Sequence, residues 1–268
     1  MVRDVRRDLR GHDLLLLAAG VTFYAALAVV PLAVVSLRLA GWAGGDGAVR
    51  SFARVVSVFL PHSDASDAGQ ALSTAALRVP WPVLVASVLP ASLYAEGLRR
   101  ALARLGPHRP ENGLRQAVRG RVLAVGGFVF VTMALLAVAT VGAYLTGGRL
   151  PLALGVYLAF VGGWALATAA LVVTYRIGFS GSLRGGALLL GAVATGSMVS
   201  GMTLGLVLVL RLPLSFGRAY GGFTSAGVLA TVAGWMWLLH AVLLIGFVLT
   251  RRLDARLAAA GRGAETEA

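Results

Sequence analysis

Six runs of apolar residues, each long enough to cross a bilayer as a helix, alternate along the chain with short segments where arginine gathers. The first runs from Leu14 to Trp42 almost without charge. It exceeds the roughly 7 to 15 residues of a signal-peptide core, so it is predicted to be a retained transmembrane helix, tilted or kinked near Pro31. Further spans are predicted at about 81–98, 122–146, 150–175, 185–210 and 223–250. The 81–98 run follows Pro80, carries Pro82 at its start and holds Pro90 and Glu96. Gly147, Gly148 and Arg149 make a tight turn between the third and fourth spans, which are therefore an antiparallel pair.

Between the first two spans, residues 48–78 are too polar to cross but are patterned as helix. Phe52, Val55, Val56 and Phe59 recur at i, i+3, i+4 and i+7, opposite Arg50, Arg54 and Ser57. That pattern predicts a helix lying in the membrane interface. Pro61 ends it, and Ser66 is placed to cap a second helix through Ala76, so the two form an interfacial hairpin on the outer surface. The predicted fold is all-α and polytopic. It has a cytoplasmic segment 1–13, a six-helix domain 14–250 and a cytoplasmic tail 251–268.

Composition agrees with hydrocarbon as the main solvent. The chain is 58% hydrophobic and 13% charged, against roughly 25% charged in soluble domains, and its mean hydropathy is +0.82. The 35 glycines are about twice the usual share of roughly 7%, and in apolar helices they let backbones approach closely. A net charge of +13 would suggest nucleic acid, but the positions of the arginines give another cause. With the N-terminus inside, seventeen of the 24 basic residues fall on the cytoplasmic side and six outside, which is the asymmetry that orients membrane proteins. No nucleic-acid partner is expected. Membrane lipids are, with anionic headgroups drawn to the basic cytoplasmic face. The absence of cysteine excludes thiol chemistry.

Ionisable residues inside spans cost at least ~2.5 to 3.5 kcal/mol each at a helix centre, and they are the first places to look for function. Arg38 falls at the far end of the first span, where snorkelling accounts for it. Glu96 lies about 22 Å along the second span from Trp81 and His240 about 26 Å along the sixth from Phe223, at ~1.5 Å per residue. Both therefore sit near the cytoplasmic leaflet, where they can pair with each other or with Arg99 and Arg176. Pro90, near mid-membrane, frees a carbonyl one turn earlier and is either a packing kink or part of a broken-helix site. These five residues, Glu96, His240, Arg99, Arg176 and Pro90, outline a candidate polar path. Ser197, Gly201 and Gly205 recur every four residues on the fifth span and are read as a packing stripe.

Catalysis finds no support. His12, His62, His108 and His240 are scattered over different segments, no HExxH occurs, and the glycine runs lack the lysine of a phosphate loop. No cofactor or metal is expected, and the protein is read as a non-enzyme.

Ala18-Ala19-Gly20-Val21-Thr22-Phe23-Tyr24 with Leu27 and Pro31 resembles the opening signature of the YihY/BrkB family of bacterial envelope proteins, A-x-x-x-F/Y-x-x-L-x-x-x-P. Tyr220-Gly221-Gly222, then Trp235, Trp237 and Ile245-Gly246, is similar to that family's closing theme. Two positions depart from it: Val248 stands where members often carry Glu, and Ala103 where Asn is usual. The resemblance implies a six-helix bacterial inner-membrane protein linked to envelope integrity, termed a virulence factor and read as a transporter; the arginine bias places both termini in the cytoplasm, and Pro90 with Glu96 and His240 at one depth points to a transporter or lipid-translocating permease. A non-transporting scaffold for envelope assembly, alone or as a homo-oligomer or with an envelope partner, is the alternative. A membrane-associated ribonuclease, a label the family has also carried, is a distant third.

Overall fold

The computed structural model describes residues 13–59, 63–106, 118, 120–123, 126–127, 132, 151–178, 183–212 and 214–266. Among these, every regular element is helical: α1 (Leu14–Phe59), α2 (Ser63–Arg78), α3 (Trp81–Arg104), α4 (Leu152–Gly178), α5 (Gly185–Arg211), a 3-10 turn (Arg218–Tyr220) and α6 (Thr224–Thr266). Five helices are long and apolar enough to cross a membrane, over Leu14–Gly47, Trp81–Arg104, Phe160–Gly178, Gly185–Leu210 and Thr224–Ala260. The third predicted span, 122–146, and the turn at 147–149 lie outside the described residues except at 122–123, 126–127 and 132.

α1 is helical through Pro31, and its non-helical residue is Gly45 (φ 73°, ψ 172°). That left-handed backbone suits glycine, and it turns the chain sharply. Val49, fully buried beyond the turn, lies 3.2 Å from where a Cβ on Gly41 would stand. Its buried neighbours are Leu37 of α1 and Ala76 of α2. The helical segment after Gly45 includes Phe52, Val55, Val56 and Phe59, whose side chains lie outside the described set. α2 begins at Ser63, three residues before the predicted cap at Ser66.

α3 opens after Pro80, with Pro82 in its first turn, where a missing N–H is harmless. It runs unbroken through Pro90 to Arg104, so the second span is one continuous helix and extends past Leu98. α5 ends just before Pro213, and the turn into α6 uses left-handed Gly221 (φ 63°) and Gly222 (φ 92°). α6 continues well beyond residue 250, so the expected tail is largely a helical extension.

The main core gathers the Leu14 end of α1, the Arg104 end of α3, the Gly178 end of α4, the Gly185 end of α5 and the middle of α6. Tyr175, Leu102, Leu244 and Phe247 are fully buried there. We call this the Arg251 end and the opposite one the Trp81 end. Elsewhere the helices turn apolar faces outward: Leu16 is 69% exposed, Leu208 64% and Leu229 70%. Long helices that expose leucine at this level need lipid around them.

Between lipid-embedded helices the hydrophobic effect gives little drive, so close packing and hydrogen bonds must hold the bundle. α5 and α6 meet this need with a reciprocal interlock. Thr250 of α6 sits on Gly191 of α5, and Thr195 of α5 sits on Gly246 of α6. Each threonine donates to the carbonyl of the glycine four residues earlier on its own helix, both at 2.7 Å, so neither hydroxyl is left unpaired. Tyr175 closes the contact from α4, donating to the Leu243 carbonyl at 2.8 Å and packing its ring on Phe247.

Candidate functional site

His240 stands in the apolar middle of α6, 7% exposed, and three helices converge on it. Its Nδ1 lies 2.8 Å from the Met236 carbonyl and 3.0 Å from Thr22 Oγ1 of α1. Its Nε2 lies 3.2 Å from the Tyr94 hydroxyl of α3. Thr22 Oγ1 itself donates to the Ala18 carbonyl at 2.8 Å. One proton assignment satisfies all of these groups. Nδ1–H is shared between the Met236 carbonyl and Thr22 Oγ1, and Nε2 accepts from Tyr94 O–H. A neutral imidazole thus joins α1, α3 and α6 with no donor wasted, and the Tyr94 ring adds an edge-on contact at 5.8 Å.

Glu96 lies two residues beyond Tyr94, hence on nearly the opposite side of α3. Its carboxylate takes Arg99 in a bidentate pair, Nε to Oε2 and Nη2 to Oε1, both at 2.7 Å. Arg100 Nε adds a third bond at 2.7 Å. Glutamate preceding arginine by three and four positions is the favourable order on a helix. Arg99 is 7% exposed, and Glu96 Oε2 reaches within 3.0 Å of where a Cβ on Gly120 would stand. The structure therefore pairs Glu96 with Arg99 and does not bring it to His240. Arg176, in the last turn of α4, is exposed and bonded to neither.

Arg38 does more than snorkel. It donates from Nη1 to the Leu77 carbonyl at 2.9 Å, near the C-terminus of α2, where a cation is favoured. Its guanidinium also lies 5.5 Å from the Trp42 ring centre. At the Arg251 end, Arg251 donates to the Leu105 carbonyl at the close of α3. Asp254 of α6 accepts from the Arg184 N–H at the start of α5, 2.9 Å away. Arg251, one of the basic residues expected to orient the chain, thus also caps a helix.

The predicted packing stripe is spread over different partners. Ser197 accepts from Trp164 Nε1 at 2.9 Å, Gly205 lies 3.3 Å from Trp235 measured at a built Cβ, and nothing among the described residues comes within 4 Å of one at Gly201. The motif residues divide in the same way. Phe23, Tyr24 and Tyr220 are exposed and Pro31 is half-buried, whereas Trp237 donates to the Leu15 carbonyl at 3.1 Å and Gly246 carries the α5 contact. Gly221 supplies the left-handed turn. Sequence reasoning missed Thr22 and Tyr94 as partners of His240, and it missed Gly191, Thr195 and Thr250. Gly191 with Thr195 and Gly246 with Thr250 share one four-residue spacing, which was the readable signal.

Among the described residues, five helices apolar enough to cross a membrane, several of them joined by side-chain hydrogen bonds, define a polytopic α-helical membrane protein. The chain matches the family described as Virulence factor BrkB over residues 5–268, nearly its whole length, and it belongs to that family. No curated protein and no solved structure matches it.

Proposed function

We propose that this protein is a bacterial inner-membrane permease that moves a lipid or another amphipathic solute. It crosses the membrane six times with both termini in the cytoplasm, so the Arg251 end faces the cytoplasm and the 48–78 helices lie on the outer surface. The arginine asymmetry supports that threading. The observation that carries the reading is the pair of polar groups on opposite sides of α3, Thr22 and Tyr94 bonded to His240 on one and Glu96 bonded to Arg99 on the other, in a largely apolar bundle. Placing an ion pair and a histidine there is expensive, and such groups mark pathways in membrane proteins. The protein acts without a cofactor or catalytic chemistry, and its contacts include anionic headgroups at the basic end.

The test is reconstitution into vesicles carrying headgroup-labelled lipid, with bleaching of the outer leaflet and parallel uptake of polar solutes. Wild type should accelerate one of these movements and Glu96→Gln should slow it. Failure of every movement, with Glu96→Gln complementing a deletion strain fully, would eliminate the permease.

One observation favours a scaffold instead. Both ring nitrogens of His240 and both oxygens of Glu96 are already occupied within the protein. On that reading Phe52, Val55, Val56 and Phe59 carry the function, and charged substitutions there abolish complementation while changes at Glu96 are silent.

A further inference from the structure

α1 and α3 each carry a proline inside the helix, and their packing sets the two prolines at one depth. The helices run antiparallel. Tyr24 lies 2.8 Å from where a Cβ on Gly97 would stand, and the Trp42 and Trp81 rings are 5.4 Å apart. Counting along both helices between those contacts puts Pro31 opposite Pro90 to within about one turn, roughly 5 Å. Each proline lacks an amide proton, so the Leu27 carbonyl of α1 and the Ala86 carbonyl of α3 lose their usual donors.

Hydroxyls in these helices follow a habit. Thr22, Ser87, Thr195, Thr231 and Thr250 each donate to the carbonyl four residues earlier. Ser36 does not. It is fully buried, and its Oγ meets no hydrogen-bond partner among the described residues. By the same register it stands at the level of Ala86. A buried hydroxyl of α1 without an acceptor thus stands at the depth of an α3 carbonyl that lacks its usual donor, at exposed Ala86.

Packing differs on the two sides of the prolines. Toward the Arg251 end, α1 and α3 are locked into the main core through Val21, Leu98 and Leu102 and through the His240 bonds. Toward the Trp81 end, the buried cluster among the described residues joins α1 and α2, and Arg38 ties α1 to the Leu77 carbonyl. Stiff packing on one side and a separately tied unit on the other is the layout of a hinge.

We propose that Pro31 and Pro90 form a paired hinge. About it the Trp81-side halves of α1 and α3 swing together with α2 against the Arg251-side bundle, and Ser36 Oγ–H donating to the Ala86 carbonyl latches the second position. The hinge holds whether or not the protein moves a solute, so absence of transport does not touch it.

The chain has no cysteine, so introduced cysteines label uniquely. Full-length protein in lipid nanodiscs is spin-labelled in two pairs, Ala43→Cys with Phe223→Cys across the hinge and Arg104→Cys with Ala255→Cys within the Arg251 end. Pulsed dipolar spectroscopy should give two distances for the first pair and one for the second. Pro31→Ala with Pro90→Ala should collapse the first pair to a single distance while leaving the second unchanged, which also reports an intact fold. Ser36→Ala should deplete the latched population by roughly fivefold, as loss of one ordinary hydrogen bond does. One narrow distance for Ala43 and Phe223 in the wild type, or two distances surviving both proline replacements, overturns the hinge. Populations unchanged by Ser36→Ala overturn the latch, and that variant carries the test alone if the double replacement does not fold.

Discussion

Gly246→Ala tests the interlock between α5 and α6. A Cβ at Gly246 would stand 2.6 Å from Thr195 Cγ2 and 2.8 Å from Tyr175 Oη, and nearer still to Thr195 Oγ1. None of these atoms gives way easily. Thr195 is β-branched, so its χ1 is restricted, and its hydroxyl is bonded to the Gly191 carbonyl; Tyr175 is fully buried and held by Leu243. Overpacking of this kind costs about 1 to 3 kcal/mol, and displacing the tyrosine forfeits a bond worth about 1 kcal/mol. Alanine recovers up to about 1 kcal/mol over glycine as a helix former, which leaves a net destabilisation of about 2 kcal/mol. Reversible unfolding in mixed micelles measures it. Gly246→Ala combined with Thr195→Ala should regain the part of the loss that Thr195 causes, the contact with Tyr175 remaining, giving a coupling of about 1 kcal/mol in the cycle. Gly201→Ala, with no described neighbour in reach, is the control and should be neutral or slightly stabilising. A Gly246→Ala protein as stable as wild type, or strictly additive substitutions, would refute the interlock.

His240→Ala should cost about 1 to 3 kcal/mol, since it strands the hydroxyl of Tyr94 among apolar groups; the same unfolding titration reads it, and Tyr94→Phe in that background should restore part of the loss. Arg99→Leu should destabilise far more than Arg100→Ala, because the Arg99 side chain is 8% exposed and that of Arg100 70%. We expect about 2 kcal/mol against at most about 0.5 kcal/mol for the exposed partner, and equal effects would remove the special place given to the buried pair. Gly45→Val forces a β-branched residue into a left-handed conformation and should cost about 1 to 3 kcal/mol. Proteolysis of the protein in nanodiscs should then cut near Val49 faster, as the packing beyond the turn loosens.

The helices were legible because hydrocarbon imposes one solution on the backbone. Wherever apolar residues run for twenty positions, the amides must bond within the segment, and Trp81 and Gly185 could be named as starts from proline and arginine punctuation alone. The break after Trp42 was legible for a similar reason, since only a glycine accepts the turn found at Gly45. Depth was legible too, because rise per residue is fixed; Glu96 and His240 were set near one level from counting alone. Azimuth was not. Tyr94 and Glu96 differ by two positions and face opposite ways, so the choice between a Glu96–His240 pair and a Glu96–Arg99 pair rested on which neighbour each face of α3 meets.

The chain by itself therefore determined that its long apolar segments prefer lipid, where the five described ones lie and which residues would be costly there. Tertiary structure decided who answers those residues. Hydrophobicity is a sum along the chain and survives any rotation of a helix about its axis. Hydrogen bonds and glycine contacts do not: they need a partner at the right angle as well as the right depth, and that partner lies up to 222 positions away, as Leu15 and Trp237 do.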